Sequence, residues 1–154
     1  PQSLEGYAMA FDQARGVTVL FGGVDGSTHR SDTWLWSGSV WTKLNVPGPS
    51  PREQHDMVYD ADRQVVVLFG GSNDTGRNNE TWEWNGSTWT QRVTPTTPPA
   101  RYFHSLAYDS LRHRTVLFGG FDGSQMFGDT WEWDGFTWVI EQVRALPQVF
   151  GKIS

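Results

Sequence analysis

Along this chain, runs that alternate apolar and polar side chains give way, after a few residues, to runs that are apolar throughout. Tyr7-Ala-Met-Ala-Phe11 is a run of the first kind, and His55–Tyr59 and His104–Tyr108 match it further on. Val17–Phe21, Val65–Phe69 and Thr115–Phe118 are of the second kind, rich in β-branched residues, as in strands covered on both faces. A third type alternates large rings with Leu35, Glu83 or Glu132: Thr33-Trp-Leu-Trp36, Thr81-Trp-Glu-Trp84 and Thr130-Trp-Glu-Trp133. That is the period of two of a strand. A fourth segment begins near Trp41, Trp89 and Trp138. No segment keeps an apolar period of 3.6 residues, which excludes a helical solenoid.

Turn residues separate these segments at fixed places. Asp12, Asp60 and Asp109 close the first strands, each with an arginine three residues later (Arg15, Arg63, Arg112). Ser37-Gly38, Asn85-Gly86 and Asp134-Gly135 lie between the aromatic-rich third and fourth segments, a strong hairpin signal. Phe-Gly-Gly recurs at 21–23, 69–71 and 118–120, a spacing of 48 and then 49 residues. The nine tryptophans fall three to a repeat. The pattern predicts an all-β chain: a β-propeller of four-stranded antiparallel blades, with three blades over residues 1–46, 47–94 and 95–142. Residues 143–154 start no fourth repeat and are expected to act as a latch strand or arm.

Phe-Gly-Gly, an acidic residue before Thr-Trp (Asp32, Glu80, Asp129) and the last-strand tryptophan resemble the kelch repeat. Pro51-Arg52 and Pro99-Ala100-Arg101, ahead of the histidine strands, add to the likeness, which covers roughly residues 4–142. The propeller domain of galactose oxidase is of the same type. The resemblance implies that the His55 and His104 strands are innermost. It also implies that the second-to-third-strand loops and the blade-to-blade linkers share one rim, often the binding face. The first repeat departs from it, with Leu4 and Tyr7 where the arginine and histidine would stand. Propellers have about four to eight blades, and the resemblance implies six or seven. Three blades alone leave an aromatic-rich face open at each end, so the chain is expected to be part of a longer propeller or to pair with itself, three blades plus three.

Charge and composition narrow the function. The net charge is −5 and the 12 basic residues are scattered, which excludes a nucleic-acid stripe. No apolar run approaches the roughly 20 residues of a membrane span. There is no cysteine, so disulfides, thiolate metal sites and cysteine nucleophiles are excluded. The crosslinked Tyr–Cys copper site of galactose oxidase cannot form either, and His29, His55, His104 and His113 lack ligand spacing. No metal or cofactor is expected. Glu83 and Glu132 hold equivalent places in different repeats and read as blade-building residues, not as a catalytic pair. Abundant tryptophan with only Lys43 and Lys152 as lysines resembles kelch-like proteins of bacteria, many exported. With a first residue Pro1, this implies a processed, extracellular protein or an excised piece.

Binding is expected where the repeats differ. Nine residues separate each Gly-Gly from Thr-Trp, constant in length and variable in content. His29, Arg30, Arg77, Asn78, Gln125, Met126 and Phe127 form their tips, and Phe121 is apolar where solvent is expected. Arg52, Arg101, Tyr102 and Phe103 of the linkers would join them in an Arg- and aromatic-rich patch, the composition of interaction hot spots. The competing role for Arg52 and Arg101 is to hold the blade edge by hydrogen bonds. The expected function is therefore a non-catalytic module that binds a protein partner or itself. The alternatives are a carbohydrate-binding propeller with rim Trp and Tyr stacked on sugars, or the non-catalytic part of a larger extracellular enzyme. Burial of all nine tryptophans, which is expected, would favour a protein partner.

Overall fold

In the computed structural model, which describes residues 1–142, the alternating and apolar runs become strands that pair only within their own repeat. Blade 1 contains β1 (Ala8–Asp12), β2 (Val17–Phe21), the short hairpin β3 (Val24–Asp25) and β4 (Thr28–His29), then β5 (Thr33–Trp36) and β6 (Trp41–Leu44). Blade 2 contains β7 (Asp56–Asp60), β8 (Val65–Phe69), β9 (Ser72–Asn73), β10 (Gly76–Arg77), β11 (Thr81–Trp84) and β12 (Trp89–Arg92). Blade 3 contains β13 (Ser105–Asp109), β14 (Arg114–Phe118), β15 (Thr130–Trp133) and β16 (Trp138–Glu141). Each blade is one antiparallel meander in the order β1-β2-β5-β6, β7-β8-β11-β12 and β13-β14-β15-β16. The latch expected of residues 143–154 lies outside the described residues.

The first strands begin one residue later than the sequence pattern suggests, because the residue ahead of them serves the neighbouring blade. His55 donates from Nε2 to the Phe21 carbonyl of blade 1, and His104 does the same to Phe69 of blade 2, both at 3.0 Å. Each strand then ends on its aspartate, which pairs with the arginine three residues on at 2.8 Å in all three blades. The residue after that arginine's turn takes a left-handed conformation: Gly16, Gln64 and His113 at φ 67, 56 and 55° (residues 16, 64 and 113).

The two blade-to-blade joints repeat one another, and their contacts explain most of the recurring residues. Phe21 of blade 1 meets the Trp89 ring of blade 2 edge-on at 5.3 Å, and Phe69 meets Trp138 at 5.4 Å. Trp89 Nε1 donates to Thr33 Oγ1 at 2.9 Å, and Trp138 Nε1 to Thr81 Oγ1 at 2.8 Å. Gly23 N–H bonds the Arg52 carbonyl and Gly71 N–H the Arg101 carbonyl. The paired glycines are there for close approach. A Cβ on Gly22 would lie 2.6 Å from the Arg52 carbonyl oxygen, and one on Gly70 2.7 Å from that of Arg101. Arg15 packs against Gly86 of the next blade, and Arg63 against Gly135.

Two apolar clusters result, one at each joint. Val19, Phe21, Met57, Leu68, Trp84 and Trp89 form the first. Val67, Phe69, Leu117, Trp131, Trp133 and Trp138 form the second. Among the described residues the cores are therefore interblade ones. A blade is stabilised only as far as a neighbour covers it.

Candidate functional site

The rim is built by the β3–β4 and β9–β10 hairpins, by the turn from Phe121 to Met126 in blade 3, and by the linkers ahead of β7 and β13. Sequence reasoning treated the nine-residue loops as plain loops. Asp25-Gly26 and the Asn-Asp-Thr-Gly run at 73–76 were the signals for the two small hairpins. In blade 3 the hairpin shrinks to one bridge, Phe121 with Met126. The linkers stitch onto these loops: Tyr102 N–H bonds the Phe121 carbonyl at 3.1 Å and accepts one back at 2.9 Å.

Two of the expected contact residues are not on the surface at all. Arg52 and Arg101 are fully buried. Arg52 donates to the Gly70 and Ser50 carbonyls and pairs with Glu80. Arg101 holds Asp129 through two bonds, 2.6 and 2.9 Å, and reaches the Gly119 and Pro99 carbonyls. Burial lowers the Arg52 pKa below its ordinary value, and the Glu80 carboxylate opposes that. The guanidinium of Arg101 holds the Asp129 carboxyl below the usual carboxylate range. These arginines clamp the linker to the acidic residue ahead of Thr-Trp, so their place among the partner-binding residues is corrected. The physical reason is that a guanidinium with no exposed surface, each of its three nitrogens bonded internally, has nothing to offer a partner.

The remaining rim residues divide into a polar half and an apolar half. His29 is half-buried and its Nε2 bonds Glu53 at 3.3 Å, with Asp74 3.1 Å from Nδ1 but not hydrogen-bonded to it, so the first tip is tied to the linker ahead of β7. Arg30 pairs with Asp25 at 2.6 Å. Arg77 is exposed and leans on Gly123 of the third tip, where its charge helps lower the pKa of Asp122, after the backbone N–H groups of Gln125 and Ser124. Asn78 bonds Gly71 and Arg101 through its backbone. Gln125 is exposed.

At the third tip the character changes. Met126 occupies the position of His29 and Arg77 and is 84 % exposed. Phe103 is 64 % exposed and held at φ 61°, a left-handed conformation that costs a bulky residue about 1 kcal/mol. Phe121 stacks edge-on against Tyr102 at 5.6 Å, and the Arg101 guanidinium lies 4.0 Å over the Phe127 ring. Phe103, Phe121, Met126 and Phe127 line one cleft of about 630 Å³ with Ser105, Phe118, Gly119 and Gly120. No side chain that lines it carries a charge. His29, Arg30, Arg77 and Asn78 lie outside it.

Phe118 is the residue that sequence reasoning missed. It matches Phe21 and Phe69, which are fully buried, yet it is 56 % exposed because its ring faces the open side of blade 3. The only signal available was its place in the last repeat.

The repeated joint, with histidine to the Phe carbonyl and tryptophan to threonine, together with the arginine clamp on the acid before Thr-Trp, accounts for most of the recurring residues. Residues 8–151 match the family model described as the KLHDC2/KLHL20/DRC7 Kelch-repeats domain. The chain is a kelch-repeat protein. No curated protein matches it. Membership in the kelch family supports a propeller module for protein interaction.

The tryptophans of this kelch module were expected to be buried, and five are: Trp84, Trp89, Trp131, Trp133 and Trp138. Trp34, Trp36, Trp41 and Trp82 are half-buried, and none of the nine is exposed. The three in blade 1 lie on its side away from blade 2, which no other described blade covers, so they stay partly open. Lys43, paired with Asp32, lies 5.9 Å over the Trp34 ring, so one face of that ring is covered by it.

Proposed function

We propose that this kelch module is non-catalytic and binds a protein partner through the apolar end of its rim, at the third tip and the cleft beneath it. The observation that carries this reading is Met126. The first two tips each close onto the next blade through a basic residue, His29 to Glu53 and Arg77 to Gly123. The third puts a methionine at that place, 84 % exposed beside an uncharged cleft that includes Phe103 and Phe118. Exposed apolar patches of this kind mark interaction surfaces, and methionine adapts its shape to a partner. The partner's contribution is an apolar or aromatic side chain seated in the cleft. His29, Arg30, Arg77, Asn78 and Gln125 form the polar surround on the same rim.

The test is a comparative capture experiment with three baits: the wild type, Met126→Glu with Phe103→Ser, and Phe136→Ser. Phe136 is 82 % exposed in the turn between β15 and β16, away from the rim. Partners held by the wild type and the Phe136 variant, and lost by the rim variant, are the expected result. Identical recovery by all three would refute the rim reading.

A further inference from the structure

The two end faces of this chain are complementary to each other, residue by residue. Blade 1 turns Trp36, Trp41 and Met9 toward its open side, and Met9 is 47 % exposed where its blade 2 counterpart Met57 is 4 % exposed. Blade 3 turns Phe118, Thr130 and Glu132 toward the opposite open side. At both internal joints the pair Phe and Thr of one blade receives the Trp of the next: Phe21 and Thr33 receive Trp89, and Phe69 and Thr81 receive Trp138. Phe118 and Thr130 are the third such pair, and Trp41 is the third such tryptophan. Glu83 accepts from Trp133 Nε1 of the next blade at 3.0 Å, and Glu132 stands at the same place facing outward. Trp36 is the tryptophan in register with it. Arg15 and Arg63 pack on Gly86 and Gly135, while Gly38 has nothing within 4 Å of where its Cβ would be. Arg112 is the arginine left to cover it.

We infer that a second copy of this chain is the partner of these faces: the blade 3 face of one copy receives the blade 1 face of the other. This rests on the kelch module being an interaction module, and it names one partner. The joint is head-to-tail, so it must close into a ring or run on as a filament. Each copy brings the three described blades, and the only multiple of three within the usual four to eight is six. Two copies therefore close the ring around a twofold axis, using both faces of each. The joint differs from the internal ones in its polar partners: Tyr7 replaces the histidine, so the Phe118 carbonyl receives no imidazole, Leu4 replaces the arginine, and Ser105 stands where Asp56 does.

The absence of cysteine makes a direct test clean. At the internal joint, Asp56 of β7 reaches the backbone N–H of Leu106 in β13 at 2.7 Å. The equivalent pair across the new joint is Ser105 of one copy and Met9 of the other. Ser105→Cys and Met9→Cys, each purified alone, should give no disulfide-linked dimer on mild oxidation. Mixed, they should crosslink, and the chain carrying both should close into a doubly linked dimer. Sedimentation equilibrium of the wild type should return twice 17.4 kDa, and Phe118→Asp should return 17.4 kDa with an intact thermal transition. A wild type that stays at 17.4 kDa at its highest soluble concentration, with no crosslink in the mixture, overturns the inference. A Ser105→Cys variant that crosslinks with itself overturns the head-to-tail register. Monomeric mass with partner capture still lost on changing Met126 would leave the rim reading standing, whereas a dimer indifferent to Met126 in capture would sink that reading alone.

Discussion

Acidification from pH 7 to pH 5 should destabilise this protein well before its carboxylates titrate, because of two histidines. His55 and His104 are 5 % and 6 % exposed. Each donates from Nε2 to a main-chain carbonyl of the preceding blade, so the proton sits on Nε2 and Nδ1 carries none. Nδ1 of each ring is buried without a hydrogen-bond partner among the described residues. Burial, then the nearby Arg52 charge, pushes the His55 pKa from 6.5 down to about 3. Burial likewise pushes His104 down to about 4, with Arg101 adding to it. Between those values and 6.5 the unfolded chain binds protons that the folded chain refuses. Stability is therefore full above pH 6.5 and falls as the pH drops, until each folded pKa is reached. At pH 5, 1.5 units below the free value, each histidine costs about 2 kcal/mol, and the pair about 4 kcal/mol. That is a large part of the about 5–15 kcal/mol of an ordinary domain. Urea unfolding followed by tryptophan fluorescence, at fixed protein concentration and ionic strength, measures it directly. The His55→Gln, His104→Gln double variant can still donate an N–H to each carbonyl and has nothing to protonate. Its stability should change by less than about 1 kcal/mol over the same interval, at an unchanged m value. Equal losses in wild type and variant, or a wild type as stable at pH 5 as at pH 7, would refute the argument.

Two further changes probe the parts that hold the rim and the joints. Arg101→Lys keeps the charge but loses the two-bond grip on Asp129 and the stacking on Phe127; chemical denaturation should show a loss of about 2–4 kcal/mol, and a variant as stable as wild type would mean the clamp is dispensable. Glu83 is 2 % exposed and holds Arg63, Arg92 and Trp133 Nε1, so Glu83→Ala should cost about 3 kcal/mol or more, while Glu83→Leu with Arg92→Leu should cost less. Blade 1 already carries that apolar solution, Leu35 with Leu44, and a double variant worse than Glu83→Ala in the same urea titration would show that the two solutions do not interchange.

Much of the fold was legible in the sequence because each repeat states the same physical requirement again. A Gly-Gly that must admit a carbonyl, a Trp that must reach a Thr, and an Asp that must hold an Arg three residues later recur in each repeat. Three copies of each requirement separate it from chance. The small rim hairpins were harder to read, because two-residue strands have too few positions to show a period. The left-handed residues Gln54, Gln64, Phe103 and His113 were hidden for a different reason. Glycine marks such a site only in blade 1, at Gly6 and Gly16, and a single copy with glycine does not announce that the other two share its conformation.

The candidate site was legible as a location and misleading as a composition. Arginine beside aromatic residues describes a hot spot, but it equally describes a clamp, and the choice turns on whether an acid stands within reach. Glu80 and Asp129 lie 28 residues along the chain from Arg52 and Arg101, so only the fold brings them together. Phe118 presents the opposite case. Its sequence surroundings match those of Phe21 and Phe69 and so predict the same burial, yet burial here is conferred by the next blade and not by the residue's own strand. In a chain whose cores lie between repeats, the first and last described blades carry joint residues on faces that no other described blade covers. The informative positions are therefore those where an end repeat either keeps the joint chemistry or abandons it. Blade 3 keeps Phe118, Thr130, Glu132 and Arg112, and blade 1 keeps Trp36, Trp41 and Gly38 while giving up the arginine and the histidine. An end face meant for water would lose its aromatic rings first. This one retains the rings and changes the polar partners, which is the pattern of a face that still meets another blade through a modified joint.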